Sequence, residues 1–143
     1  MIPANQTERK KILISNPDYQ DPYDSPILLR IILSAEESKF DFGYQTSGRY
    51  VRGGWITISP KTFLRCHSSS KKYPLIKATN IPYGPEKLFF KSSIDWRYFS
   101  LYFPPIPEFE KSVDLIEADP GTPDDFNFLN IRLDDPKKID LIY

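Results

Sequence analysis

Apolar residues fall at every second position through much of this chain. Between Trp96 and Phe103, Phe99, Leu101 and Phe103 alternate with Tyr98, Ser100 and Tyr102. In extended backbone the two sets point to opposite faces. Pro104 and Pro105 end the segment, because proline gives a sheet no N–H. Further short strands are predicted at Val113–Ala118 and Phe126–Leu133, with a turn rich in Asp, Pro and Gly between them. The stretch from Trp96 to Leu133 therefore reads as a strand–turn meander on which the rest packs. Lys39–Thr46 alternates as cleanly, with Phe40, Phe42 and Tyr44 opposed to Asp41 and Gln45. Trp55–Ser59 sets Trp55, Thr57 and Ser59 against Ile56 and Ile58.

Pro26–Glu36 is apolar on every side. Its β-branched residues and flanking prolines predict a strand buried on both faces. Ala35–Ser38 is short and polar enough for a hairpin turn into the next strand. Lys11–Ser15, Thr62–His67, Tyr73–Ala78, Glu86–Lys91 and Ile139–Tyr143 add short extended segments, and Pro74 suits an edge. Loops are expected at 16–25, Ser47–Gly54, Ser68–Lys72 and Asn80–Pro85. The result is about nine or ten short strands at the ~8–12-residue spacing of a sandwich. No stretch keeps a helical period. The pattern predicts an all-β fold, a two-sheet antiparallel immunoglobulin-like β-sandwich. Residues 1–10 are expected to form a flexible N-terminal tail and residues 11–143 a single domain.

Composition sharpens this picture. The 143 residues suffice for one domain with a real core. Aromatic residues make up 15% of the chain, and 14 prolines stand against 6 glycines. Both features favour strands and stiff turns over helices. Formal net charge is zero, so no basic excess exists to neutralise nucleic-acid phosphates or an anionic membrane surface. No apolar run approaches the ~20 residues that span a bilayer. MIPANQTERKK lacks the apolar core of a secretory signal. The single cysteine permits no internal disulfide.

Few residue types here suit catalysis. Cys66 and His67 are the lone thiol and imidazole. As neighbours on a strand they point to opposite faces and cannot pair as nucleophile and base. The expectation is a buried cysteine, an exposed histidine and too few ligands for a zinc site. Glu117, Asp119, Asp124 and Asp125 offer oxygen ligands on a turn, a weak candidate for calcium against the simpler reading of solvated carboxylates. A glycosidase would need two carboxylates in a deep cleft, which short strands rarely build. No phosphate-binding glycine motif occurs. The aromatics are the stronger lead. Trp55, Trp96, Tyr98 and Tyr50 are the candidate binding residues, because Trp and Tyr rings on a sheet face can hold a partner's apolar anchors or a sugar ring.

The segments WITISPKTFL (Trp55–Leu64), KKYPLIKATNI (Lys71–Ile81), FSLYFPPIP (Phe99–Pro107), VDLIE (Val113–Glu117) and FNFLNIRL (Phe126–Leu133) carry a family likeness. In order and spacing they resemble a β-sandwich domain of Bacteroidota proteins, the kind often found N-terminal to thioredoxin-like domains. The resemblance implies an exported or envelope setting and transfers no catalytic residue. Without a CxxC, the redox chemistry of such neighbours does not come with it. The expected function is thus non-enzymatic: an accessory domain that contacts a protein partner or a neighbouring domain, with no cofactor, no nucleic acid and no membrane insertion. The Ser47–Gly54 loop and the Asp119–Asp125 turn are its expected variable surfaces. The alternative is a carbohydrate-binding module that uses the exposed aromatics on a glycan or other small ligand.

Overall fold

A computed structural model describes residues 10–14, 26–45, 54–91, 95–118, 121, 125–134 and 139–142. These residues form twelve strands and no helix. They are β1 (Lys10–Ile14), β2 (Ile27–Ser34), β3 (Ser38–Gln45), β4 (Trp55–Ile56), β5 (Phe63–Cys66), β6 (Lys72–Pro74), β7 (Lys77–Thr79), β8 (Leu88–Phe89), β9 (Trp96–Phe103), β10 (Ser112–Ile116), β11 (Phe128–Arg132) and β12 (Ile139–Ile142). One sheet has six strands in the order β12-β1-β2-β3-β9-β7, a second has four in the order β11-β10-β5-β6, and β4 pairs with β8 alone. Every strand ladder is antiparallel, so the fold is all-β as the alternation predicts.

The core follows from that alternation. Phe40, Phe42, Phe99, Leu101 and Phe103 are buried from the six-stranded sheet, and Leu64, Cys66, Val113, Leu115 and Ile131 from the four-stranded one. Both sets belong to one hydrophobic cluster, to which Ile56 and Ile58 also contribute. Phe42 is the joint between layers. Its ring stacks on Phe99 at 5.3 Å and meets Phe126 edge-on at 4.9 Å and Phe128 at 5.4 Å. Edge-to-face and offset contacts of this kind add to the apolar burial itself.

The ladder between β3 and β9 is continuous from Ser38 opposite Phe103 to Gln45 opposite Trp96. Its neighbour β2–β3 is a hairpin closed by Ser34. That residue's Oγ accepts the N–H groups of Glu36 and Glu37 at 3.3 and 3.2 Å, as the polar Ala35–Ser38 turn predicts.

Three expectations change. Trp96–Leu133 is not one meander. β9 lies in the six-stranded sheet while β10 and β11 pair in the four-stranded one, and Pro104, Pro105 and Pro107 carry the chain between layers where no ladder N–H is required. Tyr73–Ala78 likewise splits into β6 and β7 on different sheets, with Pro74 on an edge strand. β2 is not buried on both faces: Arg30 is exposed, and Leu29, Ile32 and Leu33 are only half-buried. The register slips between Leu28 and Arg30, so Leu29 is the extra residue of a bulge that turns part of the apolar run outward. The expected tail falls almost wholly outside the described residues, as does most of the Ser47–Gly54 loop.

Truncating the joint removes contacts to both layers at once. Phe42→Ala should cost about 3–5 kcal/mol, read as a lower urea midpoint with an unchanged denaturant slope. A cost below about 1 kcal/mol would mean that Phe42 does not couple the sheets.

Candidate functional site

The outer face of the six-stranded sheet carries the most developed surface. β9 sends Trp96, Tyr98, Ser100 and Tyr102 to this side, opposite its buried Phe99, Leu101 and Phe103. Trp96 and Tyr98 stay 44% and 61% exposed. Their rings lie parallel, 6.3 Å apart and 13° from coplanar orientation. Tyr98 sits directly across the ladder from Gly43. A Cβ at Gly43 would lie 3.3 Å from both Tyr98 Cε1 and Leu29 Cδ1. The glycine thus leaves space for the ring and for the bulged Leu29 to close over β3.

Beside the rings lies a polar centre. Asp41 accepts the Arg30 Nε–H at 2.7 Å and the Ser100 hydroxyl at 2.6 Å, with Lys39 Nζ at 3.6 Å. The residues come from three adjacent strands, and the β2–β3 and β3–β9 registers set Arg30 and Ser100 opposite Asp41 on either side. Lys39 and Lys77 approach the Tyr102 ring at 5.6 and 4.6 Å from its centre, within cation–π range. An open groove of about 370 Å³ runs over this face, lined by Leu29, Arg30, Asp41, Asn80, Tyr98 and Ser100 among others. Such a groove can stack a planar or apolar group on Tyr98 and hydrogen-bond it along Arg30 and Asn80.

Of the four residues expected to bind, the structure brings two together. Trp96 and Tyr98 share this face. Trp55 is exposed on the β4–β8 pair, where Lys87 covers its ring at 4.3 Å, and Tyr50 lies outside the described residues. Of the turn carboxylates, Asp119 and Asp124 also lie outside them. Glu117 is engaged with backbone: it accepts the N–H of Ser59 at 2.8 Å and that of Phe126 at 2.7 Å. Asn127 locks the same turn, accepting the Glu117 N–H at 2.7 Å and donating to the Ala118 carbonyl at 2.9 Å. Asp125 is half-buried. Among the described residues no group of three or more His, Cys, Asp or Glu is placed to hold a metal ion, and no helix is long and apolar enough to cross a membrane.

A polar cluster on the four-stranded sheet was not anticipated from the sequence. His67 Nδ1 lies 2.6 Å from Ser112 Oγ, and its Nε2 lies 2.7 Å from Asp114 Oδ1. Asp114 also accepts Arg65 Nη2 at 3.2 Å and the Asn130 N–H at 2.9 Å. Asn130 presents that N–H from a left-handed conformation, φ 57°. Glu110 takes the Ser68 N–H and hydroxyl next door. The order hydroxyl–imidazole–carboxylate matches a nucleophile and its base, but the backbone donors beside it, at Ser68 and Asn130, already serve Glu110 and Asp114. Acyl transfer would need such donors for an oxyanion. The cluster fastens the end of β5 to β10 and β11. Cys66 is fully buried. Burial, with Glu110 nearby, pushes its thiol up to about 11, so the thiolate needed for reactivity is scarce. The signal that could have revealed the cluster is cross-strand: Arg65 and Asp114 are opposite in register, a pairing that a single strand's pattern cannot show.

Comparison with family models, curated proteins and solved structures finds no match to this chain.

Asp114 gives the cluster a pH signature. Burial pushes its carboxyl upward, but the Asn130 N–H, the His67 ring and the Arg65 guanidinium outweigh this and hold it below its ordinary value of 3.8. A carboxyl depressed in the folded state stabilises fully above the unfolded value, and that contribution is lost as pH falls through the folded one. In urea titrations from about pH 5 down to about pH 2, Asp114→Asn should lose less stability on acidification than the wild type. Identical acid limbs would show that this carboxylate carries no such linkage.

Proposed function

We propose that this chain is a non-enzymatic accessory domain, an immunoglobulin-like sandwich that contacts a protein partner or a neighbouring domain through the outer face of its six-stranded sheet. The observation that carries the reading is the exposed pair Trp96 and Tyr98, held parallel by the β9 pleat, with Tyr98 lining an open groove. Large rings left in water beside satisfied polar groups are what interface anchors look like before association. The Asp41 centre supports it, because a carboxylate already bonded by Arg30 and Ser100 can be covered without stranding a charge.

A second reading is supported by one feature of the same groove. Asn80 and Arg30 line the groove together with Tyr98, and a sugar needs both an aromatic plane for its C–H face and polar groups for its hydroxyls. The two readings separate by fluorescence. Trp55→Phe leaves Trp96 as the single tryptophan. Its emission should stay unchanged across a glycan panel, and a saturable shift with any glycan would replace the protein partner by a sugar. A photo-crosslinking residue placed at position 98 in the native cell should trap a protein that the same residue at position 55 does not. Equal yields at both positions would remove the outer face as the recognition surface. Trp96→Ala should change stability by less than about 1 kcal/mol, so a loss of trapping in that variant reads as lost contact.

A further inference from the structure

We propose that the partner reaches this face as an extended peptide that pairs with the edge of β9 at Trp96–Phe99, which no described strand occupies, continuing the line of β7. This rests on the reading of the Trp96–Tyr98 face as the recognition surface and names the form its partner takes. β3 pairs with all eight residues of β9, whereas β7 pairs only with Ser100, Leu101 and Tyr102. The chain leaves the edge for a stated reason. Asn80 is left-handed at φ 65°, and the residues after it turn to Ile58, whose N–H bonds the Pro82 carbonyl while its own carbonyl accepts the Gly84 N–H. A bridge between Ile58 and Tyr83 completes the departure.

What remains behind is a half-paired strand. The Tyr102 carbonyl faces β7, where it accepts the Ile76 N–H at 2.7 Å. Strand alternation turns the N–H and C=O of Ser100, Tyr98 and Trp96 to the same side. Ser100 has β7 beside it; Tyr98 and Trp96 have no strand there among the described residues. A donor and an acceptor repeating at every second residue are matched by another strand and by little else. A sugar or a helix would satisfy one group and leave the next. An added strand would place alternate side chains over the Tyr98 and Trp96 rings, and Arg97, exposed on the opposite side of β9, favours an acidic residue in the peptide.

The test uses the full chain. Short random peptides are selected by display on it, and the strongest is made synthetically with and without N-methylation at alternate residues. Binding should slow exchange of the Tyr98 amide at least about tenfold, and N-methylation should weaken affinity by about tenfold or more, since two backbone bonds are lost. Tyr98→Pro removes an N–H that points away from β3 and should bind more weakly than Tyr98→Ala, which removes the ring alone. Should the proline variant not fold, the N-methylated peptide on the wild-type chain decides the matter. Three results would overturn the proposal. One is recovery of no peptide. Another is binding that tolerates N-methylation and leaves Tyr98 exchange unchanged, which would spare the aromatic face while removing the edge. The third is Tyr98 protection that rises with the concentration of the chain alone, which would assign the edge to a second copy.

Discussion

The ladder between β3 and β9 is the constraint on which the rest of the molecule depends. It runs without a slip over eight residues of each strand. One face of it delivers Phe40, Phe42, Phe99, Leu101 and Phe103 to the core. The other turns Asp41, Gly43, Trp96, Tyr98 and Ser100 to the outer face, where Trp96 and Tyr98 stay exposed. Because the pleat alternates strictly, a shift by one residue would exchange the two sets and place carboxylate and glycine against the second sheet. Burial of five large side chains fixes the register, and the register then fixes the outer face. The exposed rings are in that sense a consequence of the core.

Short strands leave many backbone groups at their ends, and this chain satisfies them with carboxylates and amides. Glu117 takes two N–H groups from different segments, and Asn127 takes and gives three more bonds across one turn. Glu110 braces the turn after β5. A cradle of this kind is an alternative to longer ladders, and it holds because ionised acceptors bind N–H groups more strongly than neutral ones do. It also explains why a chain with as many acidic as basic residues keeps several acids away from open solvent: their charges orient backbone. Gly121 fits the same logic, since a Cβ there would lie 2.2 Å from Asn127 Nδ2.

The two sides of the sandwich-like core therefore differ in kind. The four-stranded sheet covers its outer face with bonded polar groups, Arg65, His67, Ser112 and Asp114, that already satisfy one another. The six-stranded sheet carries a groove, two exposed rings and one strand whose outer edge is half used among the described residues. Surfaces of the first kind have little to gain from a partner, because their polar groups are already paired with one another. Surfaces of the second kind gain apolar burial and backbone pairing together.

Periodicity alone was enough to declare most of the strands. Phe40, Phe42 and Tyr44, then Phe99, Leu101 and Phe103, announce their buried face because side-chain direction in a strand is a local property of period two. Trp96 and Tyr98 stand out for the same reason, as large rings on the opposite face. What each strand pairs with is not local. β9 and β10, adjacent in sequence, lie in different sheets, and only the meeting of Phe42 with Phe126 and Phe128 across the core settles that assignment. The separation of Trp55 from Trp96, the clasp of Arg65 and His67 on Asp114, and the bulge at Leu29 likewise depend on cross-strand register. Register is decided by the joint burial of residues far apart in the chain, which no single segment's pattern contains.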